Sequence, residues 1–191
     1  SRGVGCAFLP KALQSFRRGW PGVQLEVLNV LYRESLRMLR EGQVEIVIGP
    51  IPEGLSDNAL DIAPLSQLRV VVVTHRQNAR RDVTSLQELT EANWLVHGPV
   101  DGPSSLFGPA LPALAGQSVT RCHSLTTLLT VMAESDGFSF LSDKLLDQLG
   151  ARYDLREVPV REPLPTFTLA IMTRRQTAVT PAAETLIRQL K

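Results

Sequence analysis

The sequence predicts an α/β fold built from two lobes. Three observations predict it. Strand-like and helix-like segments alternate along most of the 191 residues, the pattern of helices packed on mainly parallel sheets. Two long strand-like segments, 68–74 and 166–173, stand far apart; the first holds Val70-Val71-Val72-Val73, and each is a candidate crossover strand between lobes. The opening third has the order helix, proline-marked turn, strand, helix, glycine stop and buried strand, a unit from which half of a two-lobed small-molecule binder is built.

The elements follow in order. Over 6–18, Leu9, Leu13 and Phe16 share one helical face, Pro10 belongs to the first turn, and Arg17-Arg18 precede the stop at Gly19. Residues 23–31 alternate Val23, Leu25 and Val27 with Gln24 and Glu26, which predicts a strand. Tyr32, Leu36 and Leu39 define a helix over 32–41 that stops at Gly42, and Val44–Ile48 is a buried strand closed by Gly49-Pro50. A loop over 51–58 leads to two strands, 59–64 and 68–74.

Ser85 with Glu88 forms a capping box for a short helix over 86–91, and Trp94–His97 is a strand ending at Gly98-Pro99. A Gly- and Pro-rich loop over 98–109 runs into a weak helix, then a strand over 119–123. Ser124 caps a helix carrying Leu125, Leu128, Leu129 and Met132 on one face, and Asp136-Gly137 ends it. Phe138–Leu141 is a strand, Ser142 caps a helix over 143–149, and strands follow over 157–160 and 166–173. Thr180-Pro181 opens the closing helix, 181–190, with Pro at its first position.

Composition narrows the function. Twenty basic and 19 acidic residues give a net charge of +1, with no basic stripe of the kind duplex binding needs. No apolar run is long enough to span a bilayer, and no signal peptide is visible. Cys6 and Cys122 are the only cysteines, which excludes a disulfide framework and suits the cytoplasm; they are either two ordinary thiols or a redox pair. His75, His97 and His123 lack metal-ligand spacing, so neither a metal nor a cofactor is expected. Neither a nucleophile elbow nor a phosphate-binding glycine loop is present, and no catalytic group stands out, so no enzyme is expected.

What remains is a set of residues at strand-to-helix turns, where parallel sheets bind ligands and helix N-termini offer N–H donors to an anion. These are Ser1-Arg2, Tyr32, His97-Gly98-Pro99, Ser124-Leu125 and Phe140. Ser124 reads equally as a plain helix cap, Tyr32 as a core aromatic and His97 as a loop hydrogen-bonder.

The order and wording of these segments resemble the effector-binding domain of LysR-type transcriptional regulators. The resemblance rests on Leu9-Pro10 with Phe16, on Pro21-Gly22-Val23, and on Leu39-Arg40-Glu41-Gly42-Gln43-Val44-Glu45-Ile46-Val47-Ile48, where Glu45 stands at a position the family usually gives to Asp. Phe138-Ser139-Phe140-Leu141-Ser142 and Thr180-Pro181 extend it; Ser142 departs from the family's usual Pro.

The resemblance implies two Rossmann-like lobes of the periplasmic-binding-protein type joined by two crossover strands. Lobe I is 1–72 plus 168–191 and lobe II is 73–167, with a ligand cleft between them. It implies that the turn residues named above line the cleft and hold a small organic anion, an aromatic carboxylate or a sulfonate. It further implies a head-to-tail homodimer, a tetramer in the full-length protein, DNA contact only through an N-terminal domain absent from this chain, and a cytoplasmic location. A periplasmic solute-binding protein of a transporter and a small α/β enzyme are the alternatives.

Overall fold

In the computed structural model the described residues are 8–30, 32–51, 57–97 and 118–191. The chain divides into two compact units, Ser1–Gln67 with Thr168–Lys191, and Leu68–Phe167.

The first unit holds helices α1 (Leu9–Gly19), α2 (Tyr32–Arg40) and α5 (Pro181–Leu190), strand β1 (Val47–Pro50), the first half of β2 (Leu60–His75) and most of β7 (Thr166–Arg174). β1 pairs antiparallel with β7, Val47 opposite Met172 and Pro50 opposite Leu169, and β7 lies beside β2. Because a pleated strand turns alternate side chains to opposite faces, β7 feeds two cores. Ala170 and Met172 pack with Leu36, Leu39, Val47 and Leu60. Ile171 packs with Ala12 and Phe16 of α1 and with Leu186 and Leu190 of α5.

The α2–β1 turn is held from two sides. Gly42 takes a positive φ of 77°, the left-handed conformation that ends helices and favours glycine. The Arg174 guanidinium on β7 then donates to the carbonyls of Leu39, at 2.8 Å, and Val44, at 3.2 Å. At the start of α5 the Thr180 hydroxyl accepts from Ala183 N–H, and the Thr180 N–H donates to the Glu45 carboxylate at 3.1 Å. The carboxylate at the unusual position 45 therefore secures a helix start.

The second unit contains the rest of β2 with strands β3 (Asn93–His97), β4 (Ser118–Cys122), β5 (Phe138–Ser142) and β6 (Leu155–Glu157), and helices α3 (Leu125–Ala133) and α4 (Asp143–Leu149). The strand order is β2-β5-β3-β4, with β6 also paired to β2. β3 is parallel to β4 and β5, whereas β2 is antiparallel to β5 and β6. One face buries Val70, Val72, Trp94, Val96, Phe138 and Phe140. The other buries Val71, Val73, Leu95 and Leu141 against Leu125, Leu128, Leu129 and Met132 of α3 and Leu145 of α4. A polar pin closes the end of the unit: Asn78 donates to Thr74 Oγ1 and to the Asp136 carbonyl, and the Thr74 hydroxyl donates to the Gly137 carbonyl.

The structure corrects several expectations. The sheets are mixed and not mainly parallel, because alternation governs only strands joined through a helix, and β2 finds its partners β5 and β6 far along the chain. The strands expected at 59–64 and 68–74 are one strand, β2. The helix expected over 86–91 is a single 3-10 turn, Leu86–Leu89, although its capping box of Ser85 and Glu88 is formed. The strand expected over 157–160 is Leu155–Glu157. Residues 23–30, expected as a strand, join no strand ladder. The weak helix after residue 98 and the position of Cys6 lie outside the described residues; Cys122 is a buried free thiol.

Candidate functional site

In the second unit β5, β3 and β4 are mutually parallel, so their carboxyl ends share one edge. His97 ends β3 opposite Cys122 of β4, and Ser124 follows at once as the N-cap of α3. The Ser124 backbone is extended, its hydroxyl accepts from Thr127 N–H at 3.4 Å, and its carbonyl accepts from Leu128 N–H at 3.0 Å. Helix geometry leaves the N–H groups of Leu125 and Thr126 without an acceptor inside α3. No acidic residue lies in its first turn, so the positive end of the helix dipole is not countered locally. Ser124 and Thr126 are exposed, while the Leu125 side chain is buried in the core. This edge therefore offers backbone N–H donors, a hydroxyl and the half-buried His97 imidazole on a rigid apolar base.

Phe140 sits differently. It is 2 % exposed, and its ring stacks on Trp94 with centroids 4.8 Å apart and planes at 20°. It lies on the sheet face opposite α3, so it is a core aromatic that shapes the unit from within. Ser142 caps α4 by accepting from Leu145 N–H and is 4 % exposed. Ser139 is a fully buried hydroxyl between Phe138 and Phe140 whose Oγ has no hydrogen-bond partner among the described residues. A serine between two phenylalanines was the signal available for it.

In the first unit Tyr32 opens α2. Its ring packs on the Leu36–Leu39–Met172 core, and its hydroxyl donates to Met172 Sδ at 3.7 Å. Burial pushes its pKa from 10.0 up to about 12, opposed by the nearby Arg40 charge and reinforced by Asp57. Arg40 itself pairs with Asp57 at 2.5 Å, which holds the Asp57 carboxyl below its ordinary range. Tyr32 is thus a neutral donor throughout the physiological range. A spectrophotometric titration is expected to show one tyrosinate forming near pH 12, a step that Tyr32→Phe removes. Between pH 10 and 12 the folded chain keeps a proton that the unfolded chain has lost, so stability falls as pH rises through that window.

Ser1, Arg2, Gly98 and Pro99 lie outside the described residues. Among the described residues no group of three or more His, Cys, Asp or Glu side chains is placed to hold a metal ion. No described helix is long and apolar enough to cross a membrane.

Parallel strands ending beside a helix N-terminus are common to many ligand-binding α/β folds, and the whole-chain comparison decides among them. The family description "LysR substrate binding domain" matches residues 1–191. The chain belongs to the LysR substrate binding domain family.

Its relatives are distant. It is 19 % identical over 190 residues to the HTH-type transcriptional regulator TdcA of Escherichia coli strain K12, covering 98 % of this chain and 61 % of TdcA. The LysR domain thus spans about three-fifths of that relative's length. Full-length OxyR C199D from Pseudomonas aeruginosa superposes with a TM-score of 0.75 at 18 % identity, covering 99 % of this chain and 66 % of OxyR. The CcmR regulatory domain of Synechocystis PCC6803, in complex with 2-PG, gives a TM-score of 0.76 at 16 % identity, covering 98 % of this chain and 91 % of that one. These likenesses place the LysR domain in the fold class its sequence predicts.

Proposed function

We propose that this LysR domain is the effector-sensing part of a transcriptional regulator and that its effector is a small organic anion. The observation that carries the reading is the α3 N-terminus at the carboxyl edge of β3 and β4, within a chain that matches the LysR substrate binding domain along its whole length. The N–H groups of Leu125 and Thr126 take the anionic group, with Ser124 and His97 beside it. The two compact units, 1–67 with 168–191 and 68–167, act as the lobes, linked by β2 and β7. The effector lies between them, with Tyr32, Ser1 and Arg2 contributing from lobe I and Gly98-Pro99 from lobe II. That CcmR's regulatory domain holds 2-PG supports a small ligand for the fold. The effector works by binding the closed and open arrangements with different affinity. No chemistry is performed on it.

DNA contact belongs to a separate N-terminal domain, in keeping with the near-neutral charge of this chain. The LysR domain pairs head-to-tail with a second copy through α1 and α3, full-length chains form tetramers, and the protein works in the cytoplasm. The single exposed large apolar side chain of α3, Val131, supports a contact there.

Thermal-shift measurements with matched pairs, each a small carboxylate or sulfonate beside its neutral amide, test the reading. Acids that raise Tm where their amides do not are the expected result. Amides that stabilise equally would refute the anion assignment.

A further inference from the structure

In the second unit a short turn over 134–136 joins the end of α3 to β5, and it closes on the step Asp136-Gly137. An aspartate followed by glycine lets the next backbone nitrogen reach the side-chain carboxyl, because glycine brings no Cβ to shield that nitrogen. Packing makes the glycine obligatory. A Cβ at 137 would overlap the side chain of Leu95, itself 1 % exposed, and would lie 3.3 Å from the Asn93 carbonyl oxygen. Asp136 is exposed, and no ion pair among the described residues engages its carboxylate. The Gly137 N–H is held loosely, donating to Ser135 Oγ at 3.4 Å. The carbonyls of the step are held firmly. Asn78 Nδ2 donates to the Asp136 carbonyl at 2.6 Å, and the Thr74 hydroxyl donates to the Gly137 carbonyl at 2.8 Å. Asn78 also donates to Thr74 Oγ1 at 2.7 Å, and both side chains belong to buried residues.

We propose that Asp136-Gly137 is a site of spontaneous isoaspartyl formation, held in check by the Thr74–Asn78 pin. The Gly137 nitrogen attacks Asp136 Cγ. Its proton and the carboxyl hydroxyl leave as water, and a five-membered succinimide forms. Water then opens the ring. Attack at Cγ restores aspartate; attack at the backbone carbonyl carbon leaves the chain running through the side chain, one methylene longer. No oxidant or co-reactant is consumed. The nitrogen reaches Cγ only if the chain rotates about the Asp136 Cα–C bond. That rotation swings the Asp136 carbonyl away from Asn78, so the reaction proceeds from a locally opened turn. Once the extra methylene is in place, the two carbonyls no longer match the spacing of Asn78 and Thr74, and the start of β5 stays unpinned. The site lies at the amino end of β5, the sheet edge opposite the α3 N-terminus, so the modification is independent of the anion.

Incubation of the 191-residue chain at mildly acid pH, followed by tryptic mapping and isoaspartyl methyltransferase labelling, tests the proposal. Asp136 falls on the peptide Cys122–Lys144, apart from the sequence's other Asp-Gly step, Asp101-Gly102, on Asp82–Arg121. The folded chain is expected to convert at Asp136 at least about tenfold more slowly than the same chain in urea. Asn78→Ala, with Thr74→Val as a second variant should the first fail to fold, is expected to speed conversion of the folded chain by at least about fivefold. Leu145→Ala destabilises the same unit away from the pin and is expected to leave the rate near that of the parent. Asp136→Glu, which would need a six-membered ring, is expected to show none. Conversion of the parent as fast as in urea overturns the proposal, as do pin variants no faster than the parent. Acceleration by Leu145→Ala equal to that by Asn78→Ala also overturns it, because the rate then follows unfolding of the whole unit and not release of the pin.

Discussion

Replacing Trp94 with alanine is expected to lower the stability of the second unit by about 3–5 kcal/mol, the range for deleting a large buried aromatic. Trp94 is 1 % exposed, stacks on Phe140 at 4.8 Å and meets Phe138 at 6.0 Å, and it packs within the core that also holds Val70 and Val72. A cavity there loses both the transferred surface and the ring contacts. In a chain of this size such a loss lowers Tm by roughly 10 °C. Calorimetric scans of the two proteins check this. Trp94→Phe, which keeps a ring, should recover part of the loss, and a Trp94→Ala protein melting within a degree or two of the parent would contradict the packing.

Arg174→Met is expected to cost the first unit about 2–3 kcal/mol, because two hydrogen bonds from a charged donor are removed, although the Leu39 carbonyl still accepts from the Gly42 N–H. The guanidinium Nη1 donates to the Leu39 and Val44 carbonyls and also lies against Gly42, where an added Cβ would meet it at 3.4 Å. The damage falls on the α2–β1 turn, so protease cleavage near residues 41–44 should accelerate along with the drop in Tm. Lysine in place of Arg174 supplies charge without the planar fork and should rescue only part of the loss.

The parts of the fold legible in the sequence are those that depend on neighbours along the chain. Ser85, Ser124, Ser142 and Thr180 each cap the helical turn that follows, because capping needs only a hydroxyl a few residues ahead of an amide. Gly42 ends α2 for an equally local reason. Strand pairing is not local. Residues 23–30 carry the alternation of a strand but join no ladder, and Leu65-Ser66-Gln67 reads as a break where β2 runs on.

The candidate site divides in the same way. The turn at Ser124 was visible as a cap, and its parallel neighbour His97 as a strand end. The face chosen by Phe140 was hidden, because a run in which both faces are buried gives alternation nothing to distinguish. The Tyr32 hydroxyl was hidden too, since its partner Met172 lies 140 residues away.

Amide chemical-shift mapping tests whether an anion is held at the α3 N-terminus. A carboxylate or sulfonate that raises Tm is titrated into the ¹⁵N-labelled LysR domain and into its Ser124→Ala variant, with the neutral amide as control. The largest shifts are expected on the N–H groups of Leu125 and Thr126 and on His97, the amide producing none of them and Ser124→Ala weakening the titration. Saturable shifts centred on residues away from the carboxyl ends of β3 and β4, with Leu125 and Thr126 unmoved, would contradict this expectation.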